Sequence, residues 1–240
     1  MKLVDLSVRI APDVPAVWPG NPEVKLEPLR SYDGDEGVFN RLLTADEHVG
    51  THWDAPSHFF ADHAQRGLFA TDEVPLDRLV APAAVLDVTD LRERAEPGRS
   101  PRIGAQRIRD HERAHGELEP GAAVLVRSGW SDDHYRPYPE GRRFAEAVIA
   151  GDLAPWPALD DDACELLVER RAGLVGFDAP SAGAFDDVAA AHRILLAANV
   201  VVVENLTNLG ALPPRGATFA FLPLKLVGGS GAPGRAIAIL

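Results

Sequence analysis

The sequence predicts an α/β protein, and three observations predict it. Short runs of β-branched and other apolar residues recur between turn residues, charged helix-forming segments separate them, and 46% of the 240 residues are hydrophobic, enough to bury a substantial core. Residues 3–10 alternate loosely and read as a strand. Residues 83–88, 122–126 and 174–177 read as buried strands. Residues 199–203 carry four valines in succession, which fits a strand covered on both faces. Residues 217–227 and 236–240 complete the strands. Helices are expected at 103–116, which is highly charged, and at 142–150, which is short. A third, at 160–171, opens on Asp160, Asp161 and Asp162, whose charge complements a helix N-terminus. A fourth, at 186–198, starts with aspartates and carries Val188, Leu195 and Leu196. No stretch reads as a linker or a repeat, so residues 1–240 are expected to form one domain, with long loops around residues 48–60.

The balance of 24 basic and 36 acidic residues gives a net charge of −12. That disfavours nucleic acid and anionic membrane as partners and leaves a small-molecule substrate. The single cysteine, Cys164, excludes an intrachain disulfide and reads as a small helix hydrophobe. The first residues lack the apolar region of a signal peptide, and no apolar stretch approaches membrane-spanning length. The expectation is a soluble, cytoplasmic protein.

Three imidazoles and a carboxylate fall within His48-Val49-Gly50-Thr51-His52-Trp53-Asp54-Ala55-Pro56-Ser57-His58. Gly50 and Pro56 argue against a continuous helix, so an extended or looped segment is expected to turn these side chains to one point. Histidine is the commonest neutral metal ligand. His48, His52 and Asp54 supply three candidate ligands, and the two oxygens of Asp54 suit it to bridge a second ion. His192 lies on the same helical face as Val188 and Leu195 and therefore points inward. Glu204 follows a buried strand, where a lone carboxylate is costly unless paired. Metal coordination resolves both positions together. His58, beyond a proline, suits a proton donor and acceptor better than a ligand.

The run His48-x-Gly50-Thr51-His52-x-Asp54-Ala55-Pro56-x-His58-Phe59 resembles the signature of the cyclase family of metal-dependent hydrolases, which includes bacterial kynurenine formamidases. The resemblance extends to Val17-Trp18-Pro19-Gly20, to residues 176–181, to His192, to Glu204-Asn205-Leu206 and to residues 222–226, in the family's order. It implies a single swivelling β/β/α domain with a mixed sheet and flanking helices. It also implies a homodimer or higher homo-oligomer with pockets near the subunit interface. By the same resemblance His48, His52 and Asp54 hold a first metal, Asp54, His192 and Glu204 hold or bridge a second, His58 exchanges protons, and Trp18 lines the substrate pocket. Zinc is the default ion and manganese tolerates the same ligands, with one or two ions per subunit. Two departures, Thr51 where formamidases often carry alanine and extra sequence around Trp130 to Trp156, keep isatin hydrolases and polyketide-associated cyclases in view beside the formamidases.

Two further patterns carry less. His111-Glu112-Arg113-Ala114-His115 fits H-E-x-x-H, with His134 as a conceivable third ligand, but it is crowded by charge and reads as a solvated helix with surface histidines. Residues 229–234 fit G-x-G-x-x-G, yet Pro233 and a following strand leave no helix to receive a pyrophosphate, so they read as a turn. No G-x-S-x-G elbow is present. The function expected is a metal-dependent amidohydrolase acting on an aryl formamide or a cyclic, isatin-like amide. A ring-closing biosynthetic cyclase is the alternative, and a catalytically silent metal-binding protein the remote one.

Overall fold

In the computed structural model, residues 1–34 and 36–240 are described. The strands are β1 (Leu3–Asp5), β2 (Lys25–Arg30), β3 (Asn40–Thr44), β4 (His52–Asp54), β5 (Val80–Asp87), β6 (Arg102–Ile103), β7 (Ala123–Arg127), β8 (Ala158–Leu159), β9 (Leu174–Phe177), β10 (Val201–Glu204), β11 (Arg215–Pro223) and β12 (Gly231–Ile239). The helices are α1 (Ala105–His115), α2 (Trp130–His134), α3 (Glu146–Ile149), α4 (Asp161–Glu169) and α5 (Ala189–Ala197). The main sheet runs β1-β12-β11-β5-β7-β9-β10-β4, with β5, β7, β9 and β10 parallel and the other pairings antiparallel. Because β4 pairs with β12 as well as with β10, the sheet closes on itself.

Closure gives each parallel strand an inner and an outer face, and the sequence fills both. On β10, Val201 and Val203 join an inner core with Leu125, Leu174, Trp53 and Phe219, while Val202 joins an outer core with Val124, Val175 and Phe177. The outer core is roofed by α1, α4 and α5 through Ile108, Leu167 and Leu195. This two-sided burial is why these strands read as unbroken apolar runs. A third cluster packs Trp130, Tyr135, Phe144 and Trp156 against the N-terminal segment through Val14 and Ala16. Among the described residues, no helix is long and apolar enough to cross a membrane.

The mixed α/β architecture with flanking helices is the one expected, but several boundaries move. The first strand stops at Asp5: Leu6 still points into the inner core as Val4 does, but Ser7 bridges to Leu206 instead of continuing the ladder. The 48–60 segment is not simply looped: His52–Asp54 is a buried strand of the main sheet. The expected 142–150 helix divides into a 3-10 turn, Glu140–Arg143, and the short α3. β12 begins at Gly231 rather than at residue 236, so Pro233 lies inside a strand. Its carbonyl still accepts the Leu224 N–H at 2.9 Å. The hairpin β2–β3 and the short elements α2, β6 and β8 carry no periodic signal long enough to be read.

Candidate metal centre

Strand period and register build the site. Trp53 points into the inner core, so its neighbours His52 and Asp54 point to the outer face. The pairings Val202↔Asp54 and Glu204↔His52 set Glu204 on that same face. Helix α5 covers it, and His192, Leu195 and Leu196 at i, i+3 and i+4 turn inward together, all buried. Val188, expected on that face, is half exposed because it caps the helix instead.

The structure brings His48, His52, Asp54, His58, His192 and Glu204 together in the lining of one cavity. Asp54 is their hub. Its Oδ1 lies 2.7 Å from His48 Nδ1 and 3.4 Å from His52 Nε2, and its Oδ2 lies 3.1 Å from His192 Nε2. Glu204 Oε1 lies 3.0 Å from His192 Nε2 and accepts the Ala182 N–H at 2.6 Å, while Oε2 lies 3.6 Å from His52 Nε2. Two ligand-like groups share Asp54, namely His48–Asp54–His58 and His52–Asp54–Glu204. In these groups His52 stands with Glu204, and His58 stands with His48, the two rings 4.3 Å apart. His58 is exposed to the cavity, and Phe59 stacks flat on His192.

The tautomers follow from the backbone. His52 Nδ1–H donates to the Gly50 carbonyl at 2.8 Å, and His192 Nδ1–H donates to the Val188 carbonyl at 2.7 Å. A carbonyl only accepts, so each neutral ring turns a bare Nε2 toward carboxylate oxygens. Lone pair facing lone pair in a buried site is unfavourable until a positive charge lies between. Without a metal, that charge is a proton. Burial by itself pushes His192 down, but its bonds to Asp54 and Glu204 outweigh this and raise it to about 10. His52 is raised against its burial in the same way, chiefly by Asp54. Asp54 is held well below the usual carboxylate range, despite burial, by His192, His48 and His52. Burial pushes His58 down, with Asp54 opposing. Imidazole nitrogens and carboxylate oxygens converging in this way fit a divalent cation.

The cavity encloses about 710 Å³, and its apolar walls include Trp18, Phe59, Phe144, Pro180 and Val188. Trp18 stands edge-on to Trp156 at 6.2 Å. Two wall elements escape sequence reasoning. Phe144 and Ala145 come from the stretch read as a short helix with no part in the site, and Ser230 comes from the glycine-rich turn, its Oγ 3.2 Å from His48 Nε2. No local signal marks either, since long-range packing brings them there. The H-E-x-x-H helix lies elsewhere. Glu112 is bound to Arg170 at 2.9 Å and accepts the Leu118 N–H, so it is a structural ion pair. The surface reading fails in part, because His111 Nε2 is buried without a partner.

The Putative cyclase family model matches residues 4–184, and the chain belongs to that family. The chain is 33% identical over 243 residues to the kynurenine formamidase of Salinibacter ruber, covering 99% of this chain and 97% of that one. Isatin hydrolase A from Labrenzia aggregata, solved with benzyl benzoate bound, superposes with a TM-score of 0.84 at 27% identity, over 99% of this chain and 93% of that one. A structure described as a predicted metal-dependent hydrolase from Bacillus stearothermophilus gives a TM-score of 0.70 at 25% identity, over 99% and 97%. These relatives are named as hydrolases, which supports a hydrolase of the cyclase family.

Proposed function

We propose that the protein is a metal-dependent hydrolase that cleaves an amide-type C–N bond in a small aromatic or cyclic substrate, an aryl formamide or an isatin-like ring. The observation that carries this reading is the pair of bare imidazole nitrogens, His52 Nε2 and His192 Nε2, facing Asp54 and Glu204 at the base of a cavity with aromatic walls. His48, His52, Asp54, His192 and Glu204 would hold the cation, zinc or manganese, one or two per subunit. A divalent cation bound there supplies Lewis-acid polarisation of a carbonyl and lowers the pKa of water toward neutrality.

The remaining work falls to the chain's own side chains. Trp18, Phe59 and Phe144 offer flat apolar surface to an aromatic ring and exclude water from it. His58, open to the cavity and held toward its neutral form by burial, takes a proton from water as the new C–O bond forms. It returns that proton to the departing nitrogen as the C–N bond breaks. The likeness to a kynurenine formamidase and to isatin hydrolases supports hydrolysis over ring closure.

The experiment is elemental analysis of the purified protein followed by assay on formanilides, cyclic imides and isatin. Bound zinc or manganese with turnover of at least one of these is expected. A metal-loaded protein inert on the whole panel would sink the hydrolase reading and favour a silent metal-binding protein.

We further read residues 1–240 as one domain and the assembly as a homodimer or higher homo-oligomer. Supporting the second, hairpin β2–β3 stands apart from the main sheet and exposes Leu29, Tyr32, Phe39, Leu42 and Leu43. A lone two-stranded hairpin is marginal in water. Light scattering after size exclusion would show a multiple of 25.8 kDa. A strict monomer would refute the assembly.

A further inference from the structure

Two side chains converge on one backbone carbonyl beneath the metal centre. The Gly50 oxygen accepts from His52 Nδ1–H at 2.8 Å and from Asn205 Nδ2–H at 2.8 Å. A carbonyl has two lone pairs, so it holds both bonds together. Its other partners pin it from several directions. The Gly50 N–H donates to Ala16 at 2.7 Å, and Gly50 itself sits at φ 62°, where a Cβ would lie 2.7 Å from Ile10.

Asn205 is itself braced. Its backbone oxygen accepts from Thr51 Oγ at 2.6 Å, its N–H donates to Ala179 at 3.1 Å, and Thr51 Oγ in turn accepts the Val8 N–H at 2.9 Å. The brace holds Asn205 at φ 57°, a left-handed conformation that asparagine tolerates better than most residues. An alanine at position 51 would have no hydroxyl for either bond.

The side chain of Asn205 is only partly satisfied. The residue is 5% exposed and its Oδ1 is buried without a partner. The left-handed backbone favours asparagine here, but it makes no demand on the side-chain amide, and an unmatched buried acceptor is costly. What the asparagine does contribute is a donor at Nδ2 to the carbonyl that orients His52.

We propose that Asn205 is a positioning residue for His52: by anchoring the Gly50 carbonyl it fixes the proton on Nδ1 and turns Nε2 toward Asp54 and Glu204, with Thr51 as the brace. This inference rests on the metal reading. Partners of this kind orient ligating histidines, and removing one typically weakens metal binding by about 10–100-fold.

The test measures zinc affinity by chelator competition in the full chain. Asn205→Ala should weaken binding by about 10–100-fold. Thr51→Ala should weaken it in the same direction, and Thr51→Ser, which keeps the hydroxyl, should retain it. In 15N-edited spectra of the zinc-loaded protein, the His52 Nδ1–H signal should be protected from exchange, and Asn205→Ala should lose that protection. Ile108→Ala, which empties part of the outer core beneath α1 away from the site, controls for general destabilisation and should leave zinc affinity unchanged. Wild-type affinity in Asn205→Ala, or an equal loss in Ile108→Ala, would overturn the positioning role alone. A wild-type protein that binds neither zinc nor manganese would overturn the metal reading along with it.

Discussion

Gly231 lies against the imidazole of His48 so closely that a Cβ built on it would stand 2.5 Å from Cε1 and 2.7 Å from Nε2. The glycine is required by this approach, and a nucleotide phosphate has no part in it. Its N–H is already committed to Glu47 Oε2 at 3.1 Å. Gly231→Ala should therefore displace His48 while leaving β12 paired. Turnover should fall by about 10²-fold, the scale of a one-ångström misplacement in a catalytic site. Unchanged kinetics with unchanged far-ultraviolet circular dichroism would show that the ring has room to move.

His58 shares the cavity with the other clustered imidazoles and carboxylates and is its most exposed histidine. If it exchanges protons, His58→Ala should keep its metal content and lose turnover by about 10²–10⁴-fold. Loss of metal in this variant would make His58 a ligand, as its grouping with His48 and Asp54 allows. Near-normal turnover would remove it from the chemistry.

Metal removal should act on stability as well as activity. Asp54, Glu204, His52 and His192 are all buried, and their mutual contacts need a positive charge among them. A cation that binds only the folded chain adds about 2.7 kcal/mol at one hundred times its Kd. Chelation should thus lower the melting temperature, and restored zinc should raise it in a concentration-dependent way. A melting curve indifferent to chelator and to zinc would argue against a resident ion.

Acid sensitivity should arise partly outside the centre. Burial, with Arg92 and Arg143 nearby, pushes His134 down to about 4, and burial, with His115 and Arg215 nearby, does the same to His111. Below an ordinary value near 6.5 the unfolded chain takes up protons that these folded rings refuse. The stability they contribute is present above pH 6.5 and is lost as pH falls toward 4. Denaturant unfolding at pH 7 and pH 5 should show a smaller drop in a His111→Gln/His134→Gln double variant than in the parent. Equal drops would mean that these rings protonate freely in the folded state.

Trp53 and Asp54 show how far the sequence reaches. Their alternation is readable as soon as residues 52–54 are taken as a strand, yet Gly50 and Pro56 disguise that strand as a loop. It is three residues long and gains its place from β10 and β12, both more than a hundred residues away. The valine run at 200–203 needed no such help, because two-faced burial leaves a composition that few other structures explain.

The sequence by itself determined the α/β class and most long elements, singled out His48, His52, Asp54, His192 and Glu204 as candidate ligands, and carried the resemblance that links them. Side-chain chemistry and short-range periodicity are written locally, so they survive without coordinates. Only the tertiary structure decided which donors face each other, that Phe144 and Ser230 join the cavity, and that Asn205 and His52 share one carbonyl. Those relations depend on sheet closure and strand register, which bring together residues whose separation along the chain carries no signal of contact.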